Sequence, residues 1–293
     1  MNEKVLKIAK KSLYSLIRSA FLIGIIYVIL FPIFYALSSS LMTNEQLVDP
    51  SITWVPKIIT FSNYKTAWEL MEYPTRFLFT GGLTLVSTLF QIFSCALAAY
   101  GFARFKFKGK TIFFALVILT MIVPPQILVV QQYSLFRNMG LLNSAFTYYF
   151  PALFGQGIRS GLMIYIFRQF IKNLPKELEE AANIDGCGTF MTFWRIVAPS
   201  VAISFLVVAI FSIVWYWNES LTASMFFDEA PPLSVALSDL HSILTKGSAG
   251  IGFDSIRNIL MSGVILFLIP PVIVYAFLQK YFIQGIERSG LVG

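Results

Sequence analysis

The chain has 293 residues, of which 57% are apolar and 13% are charged. Soluble domains usually contain about 45–50% apolar and about 25% charged residues, so this is not the composition of an ordinary soluble protein. The net charge of +7 is spread over short segments between long apolar runs. This distribution argues against a nucleic-acid-binding domain, which would gather its basic residues on one surface. We therefore expect an integral membrane protein that lies in a lipid bilayer.

Six apolar windows approach the length of about 20 residues that a membrane-spanning helix needs. They are residues 20–37, 77–99, 112–130, 145–167, 197–215 and 259–277. The first window follows a basic segment, but it is longer than the core of a cleaved signal peptide, so we expect an uncleaved first helix. The predicted fold class is all-α, with six transmembrane helices.

The Lys and Arg residues of the short connections indicate that both termini are cytoplasmic. Of 22 such residues, fifteen lie in the terminal segments and in the second-to-third and fourth-to-fifth connections, and six lie in the opposite connections. The remaining one, Arg159, lies inside the fourth window. We expect a cytoplasmic segment over residues 1–19, a six-span domain over residues 20–281 and a cytoplasmic tail over residues 282–293.

Motifs for nucleotide or acid–base chemistry are missing from the sequence. Gly109-Lys110-Thr111 resembles the end of a phosphate-binding loop, but Arg104 stands where that motif requires its first glycine. All carboxylates lie outside the six windows, so a proton relay through the membrane has no evident carriers. The sequence therefore predicts a transport component with no catalytic or metal site, which takes its energy from elsewhere.

A short segment between the fourth and fifth windows predicts a cytoplasmic helix over about residues 175–186. Pro175 suits a first helical turn, three glutamates follow it, and Gly186 and Gly188 favour an end after about ten residues. One face of this helix carries one large apolar residue, two methyl groups and a carboxylate: Leu178, Ala181, Ala182 and Asp185. Docking to a soluble partner is favoured, because a helix lying on the membrane would normally show larger apolar side chains.

The segment Glu180-Ala181-Ala182, then Gly186, then Ile196-Val197-Ala198-Pro199 resembles the EAA signature of permease subunits of binding-protein-dependent ABC importers. Its spacing agrees with that signature, and Ala198 replaces the usual leucine. Residues 61–64, 99–104, 215–218 and the tail from Gln284 resemble the maltose-type carbohydrate permeases, so the resemblance covers residues 15–293.

The resemblance implies that the short helix is a coupling helix in a cleft of an ATP-hydrolysing subunit. The ATPase-coupling residues would be Leu178, Glu180, Ala181, Ala182, Asp185, Gly186 and Pro199. The implied partners are a second homologous permease, two ATP-binding subunits and an extracellular binding protein that delivers a sugar. ATP and Mg would be bound by the partner ATPase and no cofactor by this chain, in the bacterial inner membrane. Residues Gly285–Gly293 could be a second contact with the ATPase.

Three groups of residues are candidates for the substrate pathway. Aromatic and polar side chains at the outer end of the fifth span suit sugar binding: Trp215, Trp217, Asn218 and Glu219. Pro124-Pro125 favour a broken helix near a cavity, and three amides follow them: Gln126, Gln131 and Gln132. Arg159 is a functional candidate as an intramembrane charge, which could bind a sugar acid or a sugar hydroxyl. The alternatives without a substrate contact are an aromatic belt with a helix cap for the first group, and a helix-pinning contact or a position near the membrane interface for Arg159.

The predicted function is that of a permease subunit of an ATP-driven sugar importer. An ABC importer of a non-sugar solute is the first alternative. An autonomous secondary transporter is less favoured, because the spans contain no carboxylate and no internal repeat is evident.

Overall fold

The computed structural model describes residues 3–49, 51, 54–247 and 253–290, and the regular structure in these ranges is helical. The first eight α-helices are α1 Glu3–Ser40, α2 Asn44–Val48, α3 Ser62–Leu70, α4 Tyr73–Arg104, α5 Lys110–Ile122, α6 Val129–Asn138, α7 Phe146–Leu153 and α8 Ser160–Asn173. The next seven are α9 Glu177–Ile184, α10 Thr189–Thr192, α11 Ala198–Ser200, α12 Ala202–Asn218, α13 Leu221–Phe226, α14 Leu233–Gly247 and α15 Phe253–Gly290. A 3₁₀ turn covers Pro125–Ile127, and a π-helical turn covers Phe193–Val197. The last three residues of the predicted tail lie outside the described residues.

Three helical segments in the described part of the chain are long and apolar enough to cross a membrane. They are Lys11–Ser40, Tyr73–Arg104 and Ile256–Tyr281. The pair Thr189–Ser200 and Ala202–Asn218 meets the same criterion together but is bent by 81°, and α5 is apolar but shorter. The expected all-α membrane fold is therefore present, whereas the count of six spans stays a prediction.

Three of the predicted spanning windows are interrupted, and the bend in 197–215 lies at Val201, between α11 and α12. The window 112–130 breaks after Ile122, where Val123 takes an extended conformation (ψ 122°) before Pro124. This break follows the sequence prediction, because proline disfavours a helical conformation at the residue before it. The window 145–167 contains an unpredicted break between α7 and α8, where Gly155 (φ 71°) and Arg159 (φ 53°) are left-handed.

The chain forms two compact units. The first comprises residues 1–71 and 239–267. Two buried asparagines tie its backbone together: Asn63 donates to the carbonyls of Ser40 and Met42 at 3.0 and 2.9 Å, and Asn258 donates to that of Met42 at 3.0 Å. These side chains replace the hydrogen bonds that the chain loses where α1 ends.

The second unit comprises residues 72–238 and 268–293 and carries the candidate functional residues. Helix α4 packs against α7, α8 and α12. One face of α4 contributes Cys95, Ala96 and Ala99, all fully buried, to an apolar cluster with Phe167 and Phe193. Because these α4 side chains are small, neighbouring helices can pack closely against α4, which lies at the centre of this unit.

Candidate functional site: a short anchored helix and a broken membrane helix

Helix α9 lies where the coupling helix was predicted and is slightly shorter than expected. Its last turn is closed by two hydrogen bonds, from the Cys187 N–H to the Ala182 carbonyl at 2.9 Å and from the Gly186 N–H to the Asn183 carbonyl at 3.1 Å. Gly186 has a φ of 82°. These features form a Schellman motif, for which glycine is favoured because a Cβ is strained in the left-handed region.

The predicted face of α9 borders a shallow groove of about 420 Å³. Its lining includes Leu178, Ala181, Ala182 and Asp185 together with Pro175, Glu177, Cys187 and Ile196. Ala182 is buried, whereas the other three residues of the face are exposed, as is Glu180. Ile184, which was not among the predicted site residues, is 87% exposed. The helix therefore presents both apolar and acidic side chains outwards.

Glu179 turns the opposite way and anchors α9 to the end of α4. Its Oε1 accepts from Arg104 Nε at 2.5 Å, and its Oε2 accepts from the Tyr100 hydroxyl at 3.0 Å. The same guanidinium donates through Nη2 to the Leu174 carbonyl at 2.9 Å, just before α9. Sequence reasoning considered Arg104 as a mismatch to a phosphate-binding loop and Glu179 as one of the three glutamates after Pro175, so it missed this contact.

Pro199 lies apart from the groove. It belongs to α11, between the π-helical turn and α12, and its side chain is exposed. Ile196, from the same signature, does line the groove. The structure therefore brings Ala181, Ala182 and Ile196 of the signature together at the groove, and it places Pro199 at the bend before α12.

The three predicted glutamines follow the break at Pro124. Gln126 lies in the 3₁₀ turn Pro125–Ile127, and Gln131 and Gln132 lie in the first turn of α6. All three side chains are exposed. Their positions agree with the expected broken helix, and whether they contact a substrate stays a prediction.

The break between α7 and α8 is held by polar side chains of α4 and α12. Ser94 donates to the Ala152 carbonyl at 2.6 Å, and Gln91 Nε2 donates to the Ile158 carbonyl at 2.9 Å. The Ile158 N–H donates in turn to the Tyr216 hydroxyl at 3.3 Å, and that hydroxyl donates to Gln91 Oε1 at 2.5 Å. Backbone groups freed inside a membrane need such partners.

Gly157 makes this arrangement possible. A Cβ at this position would fall on the Tyr216 hydroxyl and on Gln91 Oε1, and would lie 3.0 Å from the Ala152 Cα. Gln91 is fully buried. Neither Gln91 nor Tyr216 was singled out from the sequence; a lone glutamine in an otherwise apolar window was the signal that could have found the first.

The structure brings Arg159 and Trp215 together. The Arg159 Cζ lies 5.2 Å from the centroid of the Trp215 ring, and Phe211 stacks on the same indole at 5.4 Å. Arg159 is exposed and Trp215 is half-buried. A guanidinium and an aromatic face at this separation attract each other by about 0.5–2 kcal/mol, depending on solvent exposure.

The other three predicted residues at the end of the predicted fifth span have local partners. Trp217 is buried and contacts Phe77 edge-on, with ring centroids 5.9 Å apart. Asn218 donates to the Val214 carbonyl at 2.7 Å, and Glu219 accepts from the Thr222 N–H at 2.8 Å. These contacts are those expected of a helix end and the start of α13. A direct role in substrate binding stays a prediction for these three residues.

The described ranges contain no cluster of three or more His, Cys, Asp or Glu side chains that could hold a metal ion. Both cysteines are free, Cys95 buried and Cys187 half-buried. The chemistry that these residues offer is therefore hydrogen bonding, charge and aromatic contact.

Comparison with known proteins gives a family match over most of the second unit. The family described as "Binding-protein-dependent transport system inner membrane component" matches residues 92–288. The arabinooligosaccharides transport system permease protein AraQ of Bacillus subtilis (strain 168) is 30% identical, over 96% of this chain and 97% of its own length. The sn-glycerol-3-phosphate transport system permease protein UgpE of Yersinia pestis bv. Antiqua (strain Antiqua) is 27% identical, over 92% of this chain and 94% of its own.

A solved structure shares the fold. It is a chain in the crystal structure of a bacterial ABC transporter involved in the import of the acidic polysaccharide alginate, with a TM-score of 0.78 and 21% sequence identity. The match covers 93% of this chain and 98% of the other. The resemblance inferred from the sequence motifs is confirmed by these comparisons.

Proposed function

Because the chain belongs to the family of inner membrane components of binding-protein-dependent transport systems, we propose that it is a permease subunit of an ATP-driven importer of a sugar or oligosaccharide. The arabinooligosaccharide permease AraQ supports this substrate class, and it aligns with nearly the whole chain. The sn-glycerol-3-phosphate permease UgpE supports the alternative of a small phosphorylated solute.

In this proposal the chain crosses the bacterial inner membrane six times, with both termini in the cytoplasm. The six crossings are the predicted windows, two of which contain the breaks after Ile122 and before Ser160. A non-helical segment at membrane depth is tolerated where it is buried in protein or lines a cavity. Such breaks are therefore compatible with a permease that encloses a solute pathway, and residues 1–19 and 282–293 remain cytoplasmic segments.

The observation that carries the proposal is that one face of α9 is exposed while its opposite face is held to α4. Leu178, Ala181 and Ile184 expose apolar surface, and Glu180 and Asp185 expose charge, which suits docking in a cleft of a separate ATPase. Glu179 fixes the opposite side of α9 to Arg104. A partner that pushes on α9 would therefore act on α4 and on the rest of the second unit.

The remaining partners follow from the same assignment. We propose a second homologous permease, two ATPase subunits that bind ATP and Mg, and an extracellular solute-binding protein. This chain itself would bind neither nucleotide nor cofactor. The end of α15, which is helical to Gly290, would be a second contact with the ATPase.

Purification of the tagged chain from its native membrane in mild detergent, with mass spectrometry of the co-purified proteins, tests the assignment. We expect a second permease and an ATPase in stoichiometric amounts. A folded homo-oligomer without an ATPase would contradict it and would favour an autonomous transporter.

Two substitutions then test the coupling helix in the reconstituted complex. Glu180→Lys reverses an exposed charge, and Gly186→Trp forces a side chain onto a residue with φ 82°. We expect both variants to insert in the membrane but to lose substrate-stimulated ATP hydrolysis and uptake. Glu69→Lys, an exposed Glu-to-Lys change in α3, is the matched control. Normal stimulation in both α9 variants would exclude α9 as the coupling element.

A further inference from the structure

Arg159 is a cation inside a predicted span, and the sequence places no carboxylate within any of the six windows. The described part of the chain also contains no ion pair that involves Arg159. A charged side chain at membrane depth is costly unless it is paired or faces water, and such residues usually mark a substrate or ion pathway. Among the described residues, Arg159 therefore has no carboxylate partner.

The position of Arg159 is fixed by its surroundings. The residue before it, Ile158, is held through its carbonyl by Gln91 and through its N–H by Tyr216. Its guanidinium lies over Trp215, whose indole is supported by Phe211. The guanidinium is thus oriented in advance, which reduces the entropy lost when it binds a ligand.

The aromatic contact also limits what Trp215 can do. One side of its indole faces Arg159 and another stacks with Phe211, so Trp215 supports the cation rather than offering a free face to a sugar ring. The N–H groups of a guanidinium form a planar fork that matches the geometry of carboxylate and phosphate oxygens. The exposed edge of Arg159 is therefore suited to an oxyanion.

We propose that Arg159 is a specificity-determining residue that binds the oxyanion of an acidic carbohydrate, with Trp215 as its positioning residue. This inference rests on the proposed function, since it names the substrate class that a sugar permease with this pathway selects. The shared chemistry is a carboxylate or phosphate on a sugar, and the experiment separates the two.

The test uses the complete importer in proteoliposomes, with its ATPase, partner permease and binding protein. Uptake is measured for three probes: a galacturonic acid disaccharide, its neutral galactose counterpart and a hexose phosphate. The readout is the ratio of kcat/KM for each acidic probe to that for the neutral one. The variants are Arg159→Gln, Arg159→Lys and Trp215→Leu, and Arg137→Gln, an exposed arginine in α6, is the matched control.

We expect the wild-type protein to favour one of the acidic probes. Arg159→Gln should lower that ratio by about 10- to 100-fold, which is the size expected for the loss of a charge-assisted hydrogen-bond pair. Arg159→Lys should retain part of the preference, because it keeps the charge without the fork, and Trp215→Leu should lower the ratio less than Arg159→Gln. The acidic probe that is favoured identifies the oxyanion.

A wild-type preference for the neutral disaccharide, or equal ratios in Arg159→Gln and the wild type, would overturn this inference and leave the proposed function intact. Loss of the ratio in Arg137→Gln as well would also overturn it, because the effect would then not be specific to Arg159. Uptake of none of the three probes would overturn it too, whereas failure of the purified chain to assemble with an ATPase would reject the proposed function itself.

Discussion

Arg104, the last residue of α4, and Glu179, in the first turn of α9, form an ion pair in which Nε and Oε1 are 2.5 Å apart. Their side chains are only 8% and 13% exposed. Thirteen residues earlier on α4, Gln91 holds the break between α7 and α8. At a rise of 1.5 Å per residue these two contacts are about 20 Å apart on one helix. Helix α4 therefore connects the proposed docking helix with the region around Arg159.

We expect Glu179→Ala to destabilise the protein by about 3 kcal/mol, because it leaves the Arg104 guanidinium buried without a counter-ion. The Tyr100 hydroxyl would lose its acceptor as well. Thermal unfolding in detergent measures the effect. Glu177→Ala, an exposed glutamate in the same turn of α9, should change stability by no more than about 0.5 kcal/mol.

The double variant Arg104→Met, Glu179→Leu tests whether an apolar pair can replace this ion pair. Replacing a buried ion pair with apolar residues of similar volume is often neutral or stabilising, so we expect most of the lost stability to return. The double variant also removes the hydrogen bonds that this pair makes with the Tyr100 hydroxyl and the Leu174 carbonyl. A double variant as unstable as Glu179→Ala would mean that the α4–α9 contact depends on these hydrogen bonds rather than on the charges.

The end of α9 and the break after Ile122 could be predicted from the sequence because neighbouring residues in the chain determine both. Gly186 ends α9 since the left-handed region favours glycine, and the break after Ile122 follows from Pro124. In contrast, the break before Ser160 lies in an apolar window with no proline at that point. It depends on Gln91 and Tyr216, which lie 67 and 58 residues from Ile158 in sequence.

The roles of individual polar residues were harder to predict for the same reason. The periodicity of α9 assigns Glu179 to a different face from Leu178, but it does not identify Arg104 as the partner, 75 residues away. At the end of α12, composition alone could not separate Trp215, which contacts Arg159, from the buried Trp217. Contacts between distant segments decide these roles.

Gln91→Leu should destabilise the protein by about 2–3 kcal/mol. The substitution removes the acceptor of the Tyr216 hydroxyl and the donor to the Ile158 carbonyl, and unpaired buried polar groups cost about 1–3 kcal/mol each. Thermal unfolding of the purified chain is the measurement. Gln279→Leu, at an exposed position on α15, is the control and should change stability little. Equal melting temperatures for the two variants would show that the break does not need Gln91.

Gly161→Ala should destabilise the protein, because α8 passes close to α5 at this glycine. A Cβ at Gly161 would lie 2.9 Å from the Val117 carbonyl oxygen and 3.2 Å from Met121 Cγ, and it would also collide with the Thr120 hydroxyl. The carbonyl belongs to the backbone of α5, so relief requires the two helices to separate, at a cost of about 1–3 kcal/mol.

Gly82→Ala is the matched control, since Gly82 is also helical but a Cβ there would have no neighbour within 4 Å. Alanine is favoured over glycine in a helix by up to about 1 kcal/mol, so the control should melt at the same temperature or higher. The expected result is a lower melting temperature than the wild type for Gly161→Ala and an equal or higher one for Gly82→Ala. A Gly161→Ala variant that is as stable as Gly82→Ala would show that α5 and α8 are not closely packed at this point.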